Sequence, residues 1–111
     1  MANVNQYRTS IQNLLEKYRH PPSSPSDIET QIIVDEKHDH YQLVHVGWRN
    51  NRRTYGCVLH VDIKDNKVWI QHDGTEIGMA NELFELGVPK ENIVLAFQAP
   101  SKRKYTGFAV G

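Results

Sequence analysis

The segment Lys67 to Phe97, KVWIQHDGTEIGMANELFELGVPKENIVLAF, constrains the fold most, because it spells strand, tight turn, helix, glycine stop and second strand in one run. Lys67 to His72 alternates with the period of a half-buried strand, Val68, Ile70 and His72 on one side and Lys67, Trp69 and Gln71 on the other. Asp73-Gly74 signals a turn. Thr75 stands where an N-cap hydroxyl is wanted, with Glu76 toward the positive end of the helix dipole. Ile77, Ala80, Leu83 and Phe84 recur at helical spacing across 76–86. Gly87 supplies a left-handed stop, Val88 is placed to fold back on Leu83, and Pro89 bars continuation. Gly78 in the first helical turn costs up to about 1 kcal/mol against alanine, which points to a close backbone approach.

The other segments cover or extend this unit. Val4, Tyr7, Ile11, Leu14, Leu15 and Tyr18 keep the i, i+3, i+4 rhythm of an amphipathic helix over 4–19, which Pro21-Pro22 ends. His20 to Asp27, rich in proline and serine, is a semi-rigid connector too short to separate domains. Ile28 to Val34, Tyr41 to Trp48, Thr54 to Ile63 and Lys67 to His72 follow as strands. Asn50-Asn51 suits a tight connection, and Asp65-Asn66 a two-residue turn with positive φ. The expected class is α+β: an antiparallel meander of four strands or slightly more, with both helices packed on one face, in a single domain spanning 1–111. Ile93 to Phe97 adds a short buried strand or extended segment limited by Pro100.

In the third strand Cys57, Leu59, Val61 and Ile63 form an apolar row, yet Val58 and His60 lie opposite, near Trp69. A second sheet face bearing Trp69, Val58 and Trp48 is then either an oligomer interface or a surface covered by the C-terminal segment. The tail SKRKYTGFAVG carries Tyr105, Phe108 and Val110, residues a disordered tail has little use for, so docking on the domain or on a partner is expected.

The formal net charge is zero but unevenly spread. Residues 41–64 hold four basic side chains against one acid, 65–91 two against six, and the last twenty residues hold Lys102, Arg103 and Lys104 with no acid. That pattern lacks the strongly basic balance typical of a nucleic-acid-binding domain. No apolar run approaches the roughly 20 residues of a membrane span, and the N-terminal stretch lacks the pattern of a secretory signal. A single cysteine fits a reducing compartment, so a cytoplasmic location is expected.

Chemistry-bearing residues are sparse. His38-Asp39-His40 is the densest set of ligand-type side chains, but CxxC and HExxH spacings do not occur, and a solvated turn accounts for it. His45 and His60 are placed to face one another across adjacent strands, as satisfied sheet residues or as a metal or pH-sensitive pair. Cys57 reads as an inert buried thiol, and Asp73 with Glu76 as turn former and dipole partner rather than an acid-base pair. Gly74 and Gly78 lack the lysine and spacing of a phosphate loop. Neither a catalytic set nor a cofactor or metal site is expected. Arg49, Arg52 and Arg53, together with Lys102, Arg103 and Lys104, are the candidate phosphate contacts.

The segments HYQLVHVGW, RRTYGCVLHVDIKDNKVWIQHDGTEIGMANEL, GVPKENIVLAF and KRKYTGFAVG resemble the XisI family, the fdxN element excision controlling factors of cyanobacteria. The likeness spans nearly the whole chain and is most specific in His45 to Trp48, Tyr55 to Glu82 and the terminal GFAV. The resemblance implies an α+β fold, self-association as a homodimer and a XisH-like companion protein as partner. It also implies an accessory, non-enzymatic role in DNA excision performed by a separate recombinase, XisF. It carries no catalytic or ligand residues to transfer. The candidate partner-binding residues are Glu76, Glu82 and Glu85 on the acidic helix, with Trp48 and Trp69 on the sheet. Direct DNA binding through the two basic clusters is the alternative.

Overall fold

A five-stranded sheet in the order β1-β2-β3-β4-β5 organises the computed structural model, which describes residues 4–19 and 27–111. The elements run α1 (Val4–Tyr18), β1 (Asp27–Asp35), β2 (His40–Arg49), β3 (Arg52–Lys64), β4 (Lys67–Asp73), α2 (Met79–Glu85) and β5 (Ile93–Leu95), with a 3-10 helix at Pro100–Tyr105. The Pro-Ser connector expected from His20 lies, up to residue 26, outside the described residues. β1 to β4 are antiparallel neighbours, as a meander requires. β5 instead runs parallel to β4, because α2 carries the chain back across the sheet first.

The turn chemistry follows the sequence. Arg49 pairs with Arg52 around Asn50 and Asn51, whose φ values of 50° and 62° give the left-handed pair of a tight hairpin. Asp65 and Asn66, at 54° and 62°, do the same between β3 and β4. At the end of α2, Gly87 has φ 102°; its N–H donates to the Phe84 carbonyl and that of Val88 to the Leu83 carbonyl, both at 3.0 Å. This crossed pair satisfies carbonyls that the helix end leaves free.

The start of α2 differs from expectation. The helix begins at Met79, not at residue 76, and Thr75 is not its N-cap. Asp73, still on β4, reaches six residues ahead, and its carboxylate accepts from the Met79 N–H at 2.7 Å. Thr75 instead accepts from the Gly78 N–H at 3.2 Å inside the connecting loop. Gly78 is required by its own backbone, at φ 93°, rather than by a close approach of another chain segment.

The core lies between the sheet and both helices. Tyr7, Ile11, Leu14 and Leu15 of α1 meet Tyr41, Leu43, Leu59, Val61, Val68 and Ile70 of the sheet, with Met79, Ala80 and Leu83 of α2 closing the layer. Two β-bulges decide what faces it. Leu43 pairs with Leu59 but Val44 with Cys57, so Val58 is an extra residue and the alternation inverts there. Cys57 therefore leaves the row of Leu59, Val61 and Ile63 and lies on the opposite face with Val44, half-buried, its thiol pushed up by burial. A second bulge at Gln71, between the pairs His60/His72 and Val61/Ile70, turns His72 away from the face of Val68 and Ile70.

The C-terminal segment docks on its own domain. Ala109 bridges Val94 and donates to the Ile93 carbonyl at 2.8 Å, Phe108 packs against the core, and Lys67 donates to the Gly111 carbonyl. Among the described residues no helix is long and apolar enough to cross a membrane.

Candidate functional site

α1 and α2 lie side by side on the sheet and leave a groove between them of about 510 Å³, lined by Asn13, Leu14, Lys17, Ile77, Glu82, Glu85 and Leu86. Its apolar rim is uncovered: Ile77 is 62% and Leu86 54% exposed. Large aliphatic side chains at such exposure, gathered at one edge, are the usual mark of an association surface. Glu85 is exposed at its margin, and Glu76, next to Ile77 in the chain, is exposed as well.

Glu82 stands differently from its expected place on an outward face. Its side chain is only 11% exposed and accepts from both Lys17 and Tyr18 of α1. The acid thereby ties the two helices together across the groove. Burial, reinforced by the Glu82 carboxylate, pushes the Tyr18 phenol up to about 12. Glu82 is thus part of the groove's frame, while Glu76 and Glu85 remain available to a partner.

The second sheet face is divided. Trp69 is partly covered: its Nε1–H donates to the Lys64 carbonyl at 3.0 Å, the Arg103 guanidinium and Lys64 ammonium lie 5.7 and 5.1 Å from its ring, and Gly111 lies near its edge. The C-terminal segment packs against that place. Trp48 at the far end is 55% exposed, with Arg53 packed 5.6 Å over its ring and Tyr55 nearby at 73%.

The two basic clusters are separated. Arg49, Arg52 and Arg53 are exposed at the β2–β3 hairpin tip. Arg103 is anchored beside Trp69, donating to the carbonyls of Gln98 at 3.1 Å and Ala96 at 3.2 Å, with Lys102 and Lys104 exposed around it. Trp69 pairs with Asp62, and nine residues of β3 from Arg53 to Asp62 span on the order of 30 Å. They do not merge into one basic surface.

Asp73 is tied into the turn, as its reading as a turn former expects. The Asp73 carboxylate accepts from the Thr75 N–H at 2.9 Å and Thr75 Oγ1 at 2.6 Å as well as from Met79, and Glu76 points into solvent. His45 and His60 do not face each other: the Val58 bulge shifts the register so that His45 pairs with Gly56 and His60 with Gln42. The turn set His38-Asp39-His40 is also dispersed. Asp39 takes a two-pronged ion pair from Arg8 at 2.8 and 3.0 Å and a 2.9 Å hydrogen bond from the buried Tyr41, which docks α1 on the turn. Arg8 holds the Asp39 carboxyl below its usual range. His38 contacts Asp35 at 2.8 Å.

One grouping escaped the sequence reading. His40 Nδ1 lies 2.9 Å and His60 Nε2 3.0 Å from the same oxygen of Asp62. The available signal was the i, i+2 spacing of His60 and Asp62 on one strand; adding His40 required the register of β2 against β3.

Comparison with known proteins supplies the context. The family model described as XisI protein matches residues 1–110. No curated protein sequence matches the chain. Two solved structures from Anabaena variabilis ATCC 29413 share the fold. A XisI-like protein is 43% identical with a TM-score of 0.91, over 98% of this chain and 100% of its own. The fdxN element excision controlling factor XisI is 33% identical with a TM-score of 0.83, over 96% of this chain and 97% of its own. The five-stranded sheet with its two helices, matched end to end at these identities, makes this chain a member of the XisI family.

Proposed function

We propose that this protein is a non-enzymatic accessory factor that controls excision of a DNA element by binding a XisH-like companion through the groove between α1 and α2. The observation that carries the reading is the exposed apolar rim of Ile77 and Leu86 beside the exposed carboxylate of Glu85, with Glu76 exposed next to Ile77 in the chain. An apolar centre edged by charge suits a protein partner, with the apolar contacts supplying affinity and the acids supplying orientation. The family relationship to an excision controlling factor supports the biological setting. Asp73, which serves as turn former and helix cap, favours a role without chemistry of its own.

The test is co-purification of the full chain with a XisH-like protein, each shown to be folded alone. A complex at micromolar concentration supports the reading, and two folded proteins that stay apart at that concentration defeat it. A salt-dependent DNA shift abolished by replacing Arg49, Arg52 and Arg53 together, with no companion bound, would favour direct DNA binding instead. We further propose that the open end of the sheet, with Trp48 and Tyr55 uncovered, supports a homodimer. Sedimentation of the wild type against Trp48→Glu tests this: a dimer that survives the substitution, or a monomer in both, contradicts it.

A further inference from the structure

We propose that His40, His60 and Asp62 form a binding site for a divalent transition-metal ion of the zinc class on the sheet face opposite the helices. The three donor atoms lie within 4.8 Å of one another. Their convergence is set by the backbone. His60 and Asp62 alternate on β3 and so share a face, and His40 is the register partner of Asp62 on β2. Strands position ligands more firmly than loops do.

The two nitrogen-to-oxygen spacings suit a metal polyhedron. Donor atoms at ~2.0–2.1 Å from a common ion stand ~2.9–3.4 Å apart, the lower figure for octahedral and the upper for tetrahedral geometry. The two nitrogen-to-oxygen edges measure 2.9 and 3.0 Å. Two imidazoles and one carboxylate are a donor set that favours zinc, cobalt or nickel over magnesium or calcium, which prefer oxygen throughout. The ion takes the unprotonated nitrogen facing Asp62 in each ring: a cationic ring releases that proton to solvent, and a neutral ring carries its one proton on the other nitrogen.

A supporting shell is also present. Gln71 Nε2 donates to the second Asp62 oxygen at 3.3 Å. The Gln42 amide lies 3.4 Å from His60 Nδ1; with its oxygen turned toward the ring it accepts the Nδ1 proton and leaves Nε2 free for the metal. The Gln71 bulge brings His72 into register beside His60 on this same face, placing another imidazole next to the cluster. Asp62 is 18% and His60 31% exposed at the side chain, whereas His40 is 57% exposed. An ion held there keeps coordination positions open toward solvent.

Titration of the untagged, chelator-treated full chain with zinc chloride, followed calorimetrically, tests the site. The wild type binds zinc stoichiometrically, and Asp62→Asn and His60→Gln each weaken binding on the order of tenfold or more. His45→Gln, on the other sheet face, leaves it unchanged, and magnesium chloride gives no binding. The site is refuted if the wild type binds no zinc, if it binds no more tightly than His60→Gln, if His45→Gln loses as much as His60→Gln, or if magnesium binds equally. Thermal melting of each variant identifies unfolding. Should Asp62→Asn fail to fold, the His60→Gln and His45→Gln comparison decides the matter alone.

Discussion

Tyr18 and Glu82 show how a single contact frames a surface. The phenol of α1 donates to a carboxylate of α2, and burial favours its neutral form, so its titration moves up to about 12. Because the folded-state value exceeds that of the unfolded chain, this contribution to stability is complete below about pH 10 and is lost as pH rises toward 12. Ultraviolet titration should show Tyr18 ionising late in the wild type, alongside Tyr41, which burial and Asp39 also push up, and only the Tyr18 step shifted down in Glu82→Gln. An unshifted profile would contradict the pairing. Contacts of this kind are invisible in sequence, since residues 18 and 82 are brought together only by packing both helices on one face. Glu82 looked like an outward acid because helical spacing gives its phase and not the identity of its neighbour.

At the scale of elements, local signals located most boundaries. Both Asn and Asp turn pairs, the glycine stop after α2, and the short β5 stand where their residues indicate. The helix start was misplaced because Thr75 is a good capping residue locally, while the cap is supplied from a strand six residues before Met79. Asp73→Ala should therefore cost about 1–2 kcal/mol in denaturant unfolding, the range of a lost cap, and Thr75→Ala less. Equal losses would place the cap on Thr75 after all. The bulges at Val58 and Gln71 were equally hidden, because period-2 reasoning assumes no extra residue. Each inverted a row: Cys57 left the core, and His72 left the face of Val68 and Ile70 for that of His60.

For the whole molecule, one apolar layer holds both helices to the sheet, so its loss is felt everywhere. Leu15 of α1 and Leu83 of α2 are fully buried in it. Leu15→Ala or Leu83→Ala should destabilise by about 2–5 kcal/mol in chemical denaturation, the usual cost of a leucine-sized core deletion. A loss well below that range would mean that α1 or α2 is only loosely packed. Leu86, by contrast, is 54% exposed and lies on the groove's rim, so its truncation should leave stability within about 0.5 kcal/mol. The layer's members were legible from periodicity. The groove was not, since it exists only where two distant helices meet, and its exposed Ile77 passed as a core residue of a longer helix.

The central claim, that this groove receives a protein partner, is tested most directly by the affinity of a XisH-like companion for the Ile77→Asp, Leu86→Asp double variant. The account predicts an unchanged melting profile with binding weakened about 30-fold or more, the scale of losing an interface anchor worth at least 2 kcal/mol. Binding as tight as that of the wild type by a folded double variant would contradict it.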